Sequence, residues 1–127
     1  METEIINARI ENTNLGNMKD GTLFGFWLYL DFGGTGQGFG GYCLDEYDKP
    51  LSRRVGTAAG LESIIQILEI VGVDHWEDLK GKLIRVKRDA EWNGKIFGIG
   101  HVLKDQWFEP EAFFAEWRER EAAIQTS

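Results

Sequence analysis

Residues 23–32 carry apolar side chains on both faces of an extended segment: Phe24, Phe26, Leu28 and Leu30 alternate with Leu23, Gly25, Trp27 and Tyr29. Period-two alternation is the signature of a β-strand. A strand that is apolar on both faces needs cover on both, which places this one centrally in a sheet or at a subunit interface. Its neighbours in sequence extend the sheet. Residues 5–11 alternate, with Ile6, Ala8 and Ile10 on one face. Asp20-Gly21 is a tight-turn pair, so residues 13–30 read as a hairpin. Residues 33–38 form a glycine-rich turn, residues 39–44 a returning strand with Phe39 and Tyr42 as its aromatics, and residues 45–51 a polar loop.

The rest of the chain mixes helix and hairpin. From Thr57 to Val71, Leu61, Ile64, Ile65, Leu68 and Val71 recur at helical spacing as one buried stripe, and Gly72 is a natural C-terminal cap. Asp74-His75-Trp76-Glu77 has the capping-box spacing of a short helical turn. Residues 83–92 and 95–103 flank Asn93-Gly94, the strongest two-residue hairpin signal; Ile84 and Val86 point one way, Arg85 and Lys87 the other. Pro110 suits the first turn of a terminal helix. Phe113, Phe114 and Trp117 form its apolar side, and Glu116, Arg118, Glu119 and Arg120 its solvated one. These elements predict an α+β fold, with antiparallel β-sheet and hairpins packed against one central helix and a C-terminal helix. The 127 residues suit one domain over 1–127, large enough to bury roughly two-thirds of its unfolded surface without a metal or disulfide.

Charge and cysteine usage narrow the function. The net charge of −7 disfavours sequence-independent DNA binding, which needs many phosphate contacts, and leaves room for a small anion in a local basic pocket. No stretch approaches the roughly 20 apolar residues of a membrane helix. The acidic Met1-Glu2-Thr3-Glu4 start lacks the basic flank of a signal peptide. The single cysteine, Cys43, fits a reducing compartment; with no basic residue beside it in sequence it reads as structural rather than nucleophilic. The expected location is the host cytoplasm.

Arg53-Arg54-Val55-Gly56-Thr57 is the foremost anion-site candidate. A helix N-terminus presents unpaired N–H groups and partial positive charge, to which two arginines, a glycine and a hydroxyl add donors. The glycine spacing and Lys-Ser/Thr ending of a P-loop are absent. The alternative is that Thr57 is only an N-cap and the arginines bind surface carboxylates. A second basic group is Lys80, Lys82, Arg85, Lys87 and Arg88, with Lys95 across the hairpin; it is either a phosphate-binding face or the solvated side of a hairpin. The glycine run from 33 to 41 lies between strands rather than before a helix, so a dinucleotide fingerprint fails on context. It is a bulged hairpin or a flexible rim over a ligand. His75 and His101 have no partners at metal-ligand spacing, and no nucleophile elbow is present. No catalytic residue, cofactor or metal is expected. Of the five tryptophans, Trp92 and Trp107 are best placed to reach a surface, where an aromatic beside arginines stacks on a nucleobase; the alternative is packing.

Several stretches together resemble a family of small phage and prophage proteins. They are Asn14-Leu15-Gly16, Gly36-Gln37-Gly38-Phe39-Gly40-Gly41-Tyr42-Cys43-Leu44-Asp45, Arg54-Val55-Gly56-Thr57-Ala58, Val71-Gly72-Val73-Asp74-His75-Trp76-Glu77-Asp78-Leu79 and Gly100-His101-Val102-Leu103-Lys104-Asp105-Gln106-Trp107-Phe108. The family is the first type of Thoeris anti-defence protein. The resemblance implies a sponge that sequesters cyclic ADP-ribose isomers, and in some members cyclic oligonucleotides, without degrading them, and that assembles as a dimer or an assembly of dimers. On this reading Arg53, Arg54, Gly56 and Thr57 would meet the phosphates, and Phe39, Tyr42, Trp92 or Trp107 the base. An acidic inhibitor that blocks a host defence nuclease or CRISPR complex is the alternative, supported by the net charge; a single-strand nucleic-acid accessory protein using the 80–95 hairpin is a third.

Overall fold

The computed structural model describes residues 2–18, 21–90 and 94–126. The fold is α+β. Strands β1 (Thr3–Met18), β2 (Leu23–Asp31) and β3 (Gly36–Cys43) form a meander. A small β4 (Asp45–Asp48) and β5 (Arg53–Gly56) hairpin leads into helix α1 (Ala58–Val71). Strands β6 (Leu83–Asp89), β7 (Ile96–Gly100) and β8 (Trp107–Phe108) follow, and helix α2 (Pro110–Thr126) ends the described chain. One antiparallel sheet runs β3-β2-β1-β6-β7-β8, and β4-β5 stand apart.

β1 is the spine. Its first half pairs with β6, from Thr3 opposite Asp89 to Arg9 opposite Leu83; its second half pairs with β2, from Arg9 opposite Asp31 to Met18 opposite Leu23. The register slips by one residue between Ile10 and Asn12, so Glu11 is a β-bulge. A bulge bends the strand and reverses the face of every residue beyond it. This is why the sequence suggests one strand over 5–11 and a separate arm from 13, where a single strand runs through: the alternation breaks although the hydrogen bonding continues. β2 lies inside the sheet between β3 and β1; Phe26, Leu28 and Leu30 on its inner face are buried, while on its outer face Tyr29 is exposed. The glycine turn is confined to residues 32–35, closed by Phe32 N–H donating to Thr35, and the remaining glycines belong to β3.

The inner face of the sheet holds Ala8 and Ile10, then Phe26, Leu28 and Leu30, Phe39, Ile84 and Val86, and Ile96 and Ile99, with Ile67 and Ile70 of α1 against them. Burying side chains of this size contributes about 1.5–3 kcal/mol each before entropy is charged. Aromatic contacts bring α2 to the same face: Phe113 meets Phe108, and Phe114 meets Tyr42, which stacks on Phe26. The sheet curls enough for β3 to reach the far hairpin, where the Gln37 amide donates to the Gly94 carbonyl at 3.0 Å. Arg88, beneath it on the inner face, donates to Glu4 and to Gln37 and lies over the Phe32 ring.

α1 begins and ends as its sequence predicts. Thr57 accepts from the Gly60 N–H, and Gly72 takes the left-handed conformation with its N–H on Leu68. The buried stripe is displaced, however. Ile67, Ile70, Gly60 and Ser63 are fully buried, Ile64, Leu68 and Val71 are partly so, and Leu61 and Ile65 are 65% and 40% exposed. The helix is apolar nearly all round, so periodicity alone leaves its rotation open. Contact of Gly60 with the Leu44 backbone sets it. Three further expectations are corrected. The polar 45–51 stretch is half of a hairpin, because its strand is held by a distant arginine rather than by apolar alternation. The strand expected over 95–103 ends at Gly100, and the two-residue β8 that follows is too short to carry a period. The 3-10 turn at Trp76–Asp78 forms without a side-chain cap bond. Asp20 and Asn93 lie outside the described residues.

A Cβ built on Gly60 would stand 2.3 Å from the Leu44 carbonyl oxygen. Glycine to alanine in a helix ordinarily stabilises by about 1 kcal/mol. Here the expected sign is reversed: Gly60→Ala destabilises by about 1–3 kcal/mol through overpacking, measured by thermal or urea unfolding. Gly16→Ala, where nothing lies within 4 Å, is the neutral control.

Candidate functional site

The β4-β5 hairpin is built around one ion pair. Arg54 donates through Nε to Asp45 Oδ2 at 2.8 Å and through Nη2 to Oδ1 at 3.0 Å and to the Asp45 carbonyl at 3.2 Å. The Phe24 N–H also donates to Asp45 Oδ1, at 3.1 Å, which ties the hairpin to the start of β2. This bidentate, charge-assisted arrangement is the strong form of a side-chain hydrogen bond. The Arg54 guanidinium holds the Asp45 carboxyl at about 2, against the opposing effect of burial, with the Phe24 N–H adding to the depression. The same contact raises the pKa of Arg54. Cys43 joins the cluster: its thiol donates to Asp45, and Arg54 Nη2 lies 3.4 Å from its sulfur. The basic neighbour missing in sequence is therefore present in space.

The predicted anion donors separate on this framework. Arg54 has its Nε–Nη2 edge committed to Asp45. Arg53 is exposed and donates only to the Arg54 carbonyl, at 3.2 Å, among the described residues. The Thr57 hydroxyl is fully used, accepting from Gly60 and donating to the Leu44 carbonyl; it is a cap, not an anion donor. Gly56 remains open, with nothing within 4 Å of its Cβ direction. Arg53, Arg54 and Gly56 line a cleft of about 360 Å³ with Val55, Asn17, Phe24, Gly21 and Asp45, within the range of small-ligand sites.

The predicted aromatics do not gather there. Phe39 is 2% exposed, locked in the core against Phe26 and Tyr42, and offers no face to a base. Tyr42 is half-buried between Phe26 and Phe114; burial raises its pKa, with nearby Lys95 pulling the other way. Trp107 lies on β8, at the opposite sheet edge from β3. Its ring covers Gly100 and carries both Arg85 and Lys87, at 4.8 and 4.3 Å. Trp92 lies outside the described residues. The basic group is likewise divided: Arg85 is held by the His101 and Lys104 carbonyls, Arg88 turns inward to Glu4, and Lys95 pairs with Glu111.

Sequence reasoning missed Trp27. Its indole lies over β3, where a Cβ at Gly38 or Gly41 would come within 3.2 or 2.9 Å of the ring, and Tyr29 lies alongside at 6.5 Å and 18°. The signal was available: Trp27 and Tyr29 share the parity opposite Phe26 and Leu28, and the facing strand is glycine at alternate positions. A second cleft, of about 530 Å³, opens beside this ring between Asn14, Asn17, Met18 and Leu23, with Gly40 and Gly41 as its far wall. Asn17 lines both clefts.

Among the described residues no cluster of three or more His, Cys, Asp or Glu side chains is placed to hold a metal, and no helix is long and apolar enough to cross a membrane. No family model, curated protein or solved structure matches the chain.

Because Asp45 titrates lower folded than unfolded, its contribution to stability is present above the unfolded carboxyl pKa and is lost as pH falls through the folded value. Asp45→Asn is expected to lower Tm at neutral pH by several degrees. The gap to the wild type should close between about pH 4 and about pH 2, as followed by circular dichroism melts.

Proposed function

We propose that this protein binds a cyclic nucleotide immune messenger of the cyclic ADP-ribose class, or a related cyclic oligonucleotide, and sequesters it uncleaved as a phage anti-defence protein. The observation that carries the reading is the cleft in which Arg53 is exposed and held by one backbone carbonyl, Arg54 is fixed by Asp45, and the exposed Phe24 ring stands beside them. A guanidinium already oriented by a carboxylate loses little freedom when an anion arrives, which favours affinity. The acidic remainder of the chain repels RNA and DNA competitors. The family resemblance supplies the messenger class; sequestration then needs affinity alone.

The same reading makes the protein a homo-oligomer. Leu61 and Ile65 of α1, with Tyr47 and Leu51 of the small hairpin, are exposed apolar side chains available to a second copy.

Protein recovered from cells that express a TIR-domain synthase is expected to release an intact cyclic ADP-ribose isomer on denaturation in native mass spectrometry, from an oligomer. Arg53→Ala should weaken binding of that isomer at least ~10-fold in calorimetry, equivalent to ~1.4 kcal/mol, with an unchanged melting curve. A ligand recovered in hydrolysed form, or none from a protein that also fails to bind the pure isomer, would remove the proposal.

A further inference from the structure

The two clefts that have Asn17 in common as a lining residue differ in chemistry. One contains Arg53 and the Arg54–Asp45 pair. The other has no charged side chain in its lining: two carboxamides, an indole, a thioether and a leucine surround it. A cleft without charge takes a neutral group at the least desolvation cost, and an indole in its wall suits a flat ring. The indole is held in place before any ligand arrives, because β3 offers no Cβ beneath it and Tyr29 flanks it. Its N–H has no acceptor among the described residues, and neither the Asn14 nor the Asn17 carboxamide makes a hydrogen bond there. Asn14 stands directly opposite Trp27 across the β1-β2 ladder. A carboxamide presents a donor and an acceptor side by side, the pattern that pairs with a purine edge.

We propose that the Trp27 cleft is the base site: it takes the uncharged heteroaromatic ring of a nucleotide, edge-bonded by Asn14, while the anionic part reaches past Asn17 to Arg53. This assignment rests on the nucleotide-binding reading above and moves the stacking role from the aromatics suggested by the sequence to Trp27.

The test separates the two halves by using fragments. Adenosine and inorganic pyrophosphate are titrated separately into ¹⁵N-labelled protein, with the Trp27 indole resonance assigned from Trp27→Phe. Adenosine should move the Trp27 indole and the Gly41 amide, and pyrophosphate the Arg53 signals. AMP should bind at least ~10-fold more tightly than adenosine, a gain that Arg53→Ala abolishes. Asn14→Ala, at an exposed strand position, should weaken adenosine ~10-fold and leave pyrophosphate unaffected. Adenosine that leaves Trp27 unmoved, or moves the Trp107 indole instead, overturns the base site while a pyrophosphate response keeps the anion cleft. Adenosine bound at Trp27 with no pyrophosphate response keeps the base site and removes Arg53 from the function. Silence to both fragments removes both.

Discussion

Ile10 sits between two neighbours: its N–H donates to Lys82 and its carbonyl accepts from Gly81 on one side, while on the other it stands opposite Leu30 in the β1-β2 register. The fold depends on this crossing point. Before it β1 belongs to the β6 side, after it to the β2 side. The extra residue, Glu11, lets the strand change partners: Ala8 and Ile10 lie in the core before the bulge, and Thr13 and Leu15 stand opposite Leu28 and Phe26 after it. The bend it introduces adds to the curl that brings Gln37 to Gly94. The Tyr42–Phe114 contact seats α2 at the β3 side, as the Phe108–Phe113 contact does at β8.

Glycine plays one role twice on the outer face. Trp27 covers β3 at Gly38 and Gly41, and Trp107 covers β7 at Gly100. In each case a large ring replaces the side chains that the neighbouring strand lacks, shielding its backbone from water. The consequences differ. Trp107 is loaded with two cations and its N–H is bonded to Asp105, so its polar capacity is spent. Trp27 borders open space and uncommitted carboxamides. Packing and recognition thus use the same indole arrangement, and the surroundings decide which prevails.

The elements visible in the sequence are those whose information is local. Thr57 and Gly72 mark both ends of α1, Pro110 opens α2, and Ile84 and Val86 set the parity of β6. Features requiring a distant partner were hidden. Asp45 reads as a loop residue until Arg54 and the Phe24 amide are brought to it. Arg88 reads as one of a basic run until Glu4, 84 residues away, draws it inward. Phe39 and Tyr42 read as ligand aromatics because composition does not tell which side of a strand faces a helix. The cleft around Arg53 follows from the motif, whereas the one around Trp27 follows only from pairing Asn14 with Trp27 and seating the ring on β3.

The divided pairing of β1 also orders events in time. The meander of β1, β2 and β3 joins segments close in sequence, while the first half of β1 must wait for β6, from Leu83 to Asp89. Loop closure over such separations is slow. On the ribosome, Ile5 and Ile6 therefore emerge well before their partners Lys87 and Val86, and that edge stays open until β6 follows. The flanking Glu2, Glu4, Arg9 and Glu11 place charge on both sides of that edge, and charge is what discourages one nascent chain from adding to another.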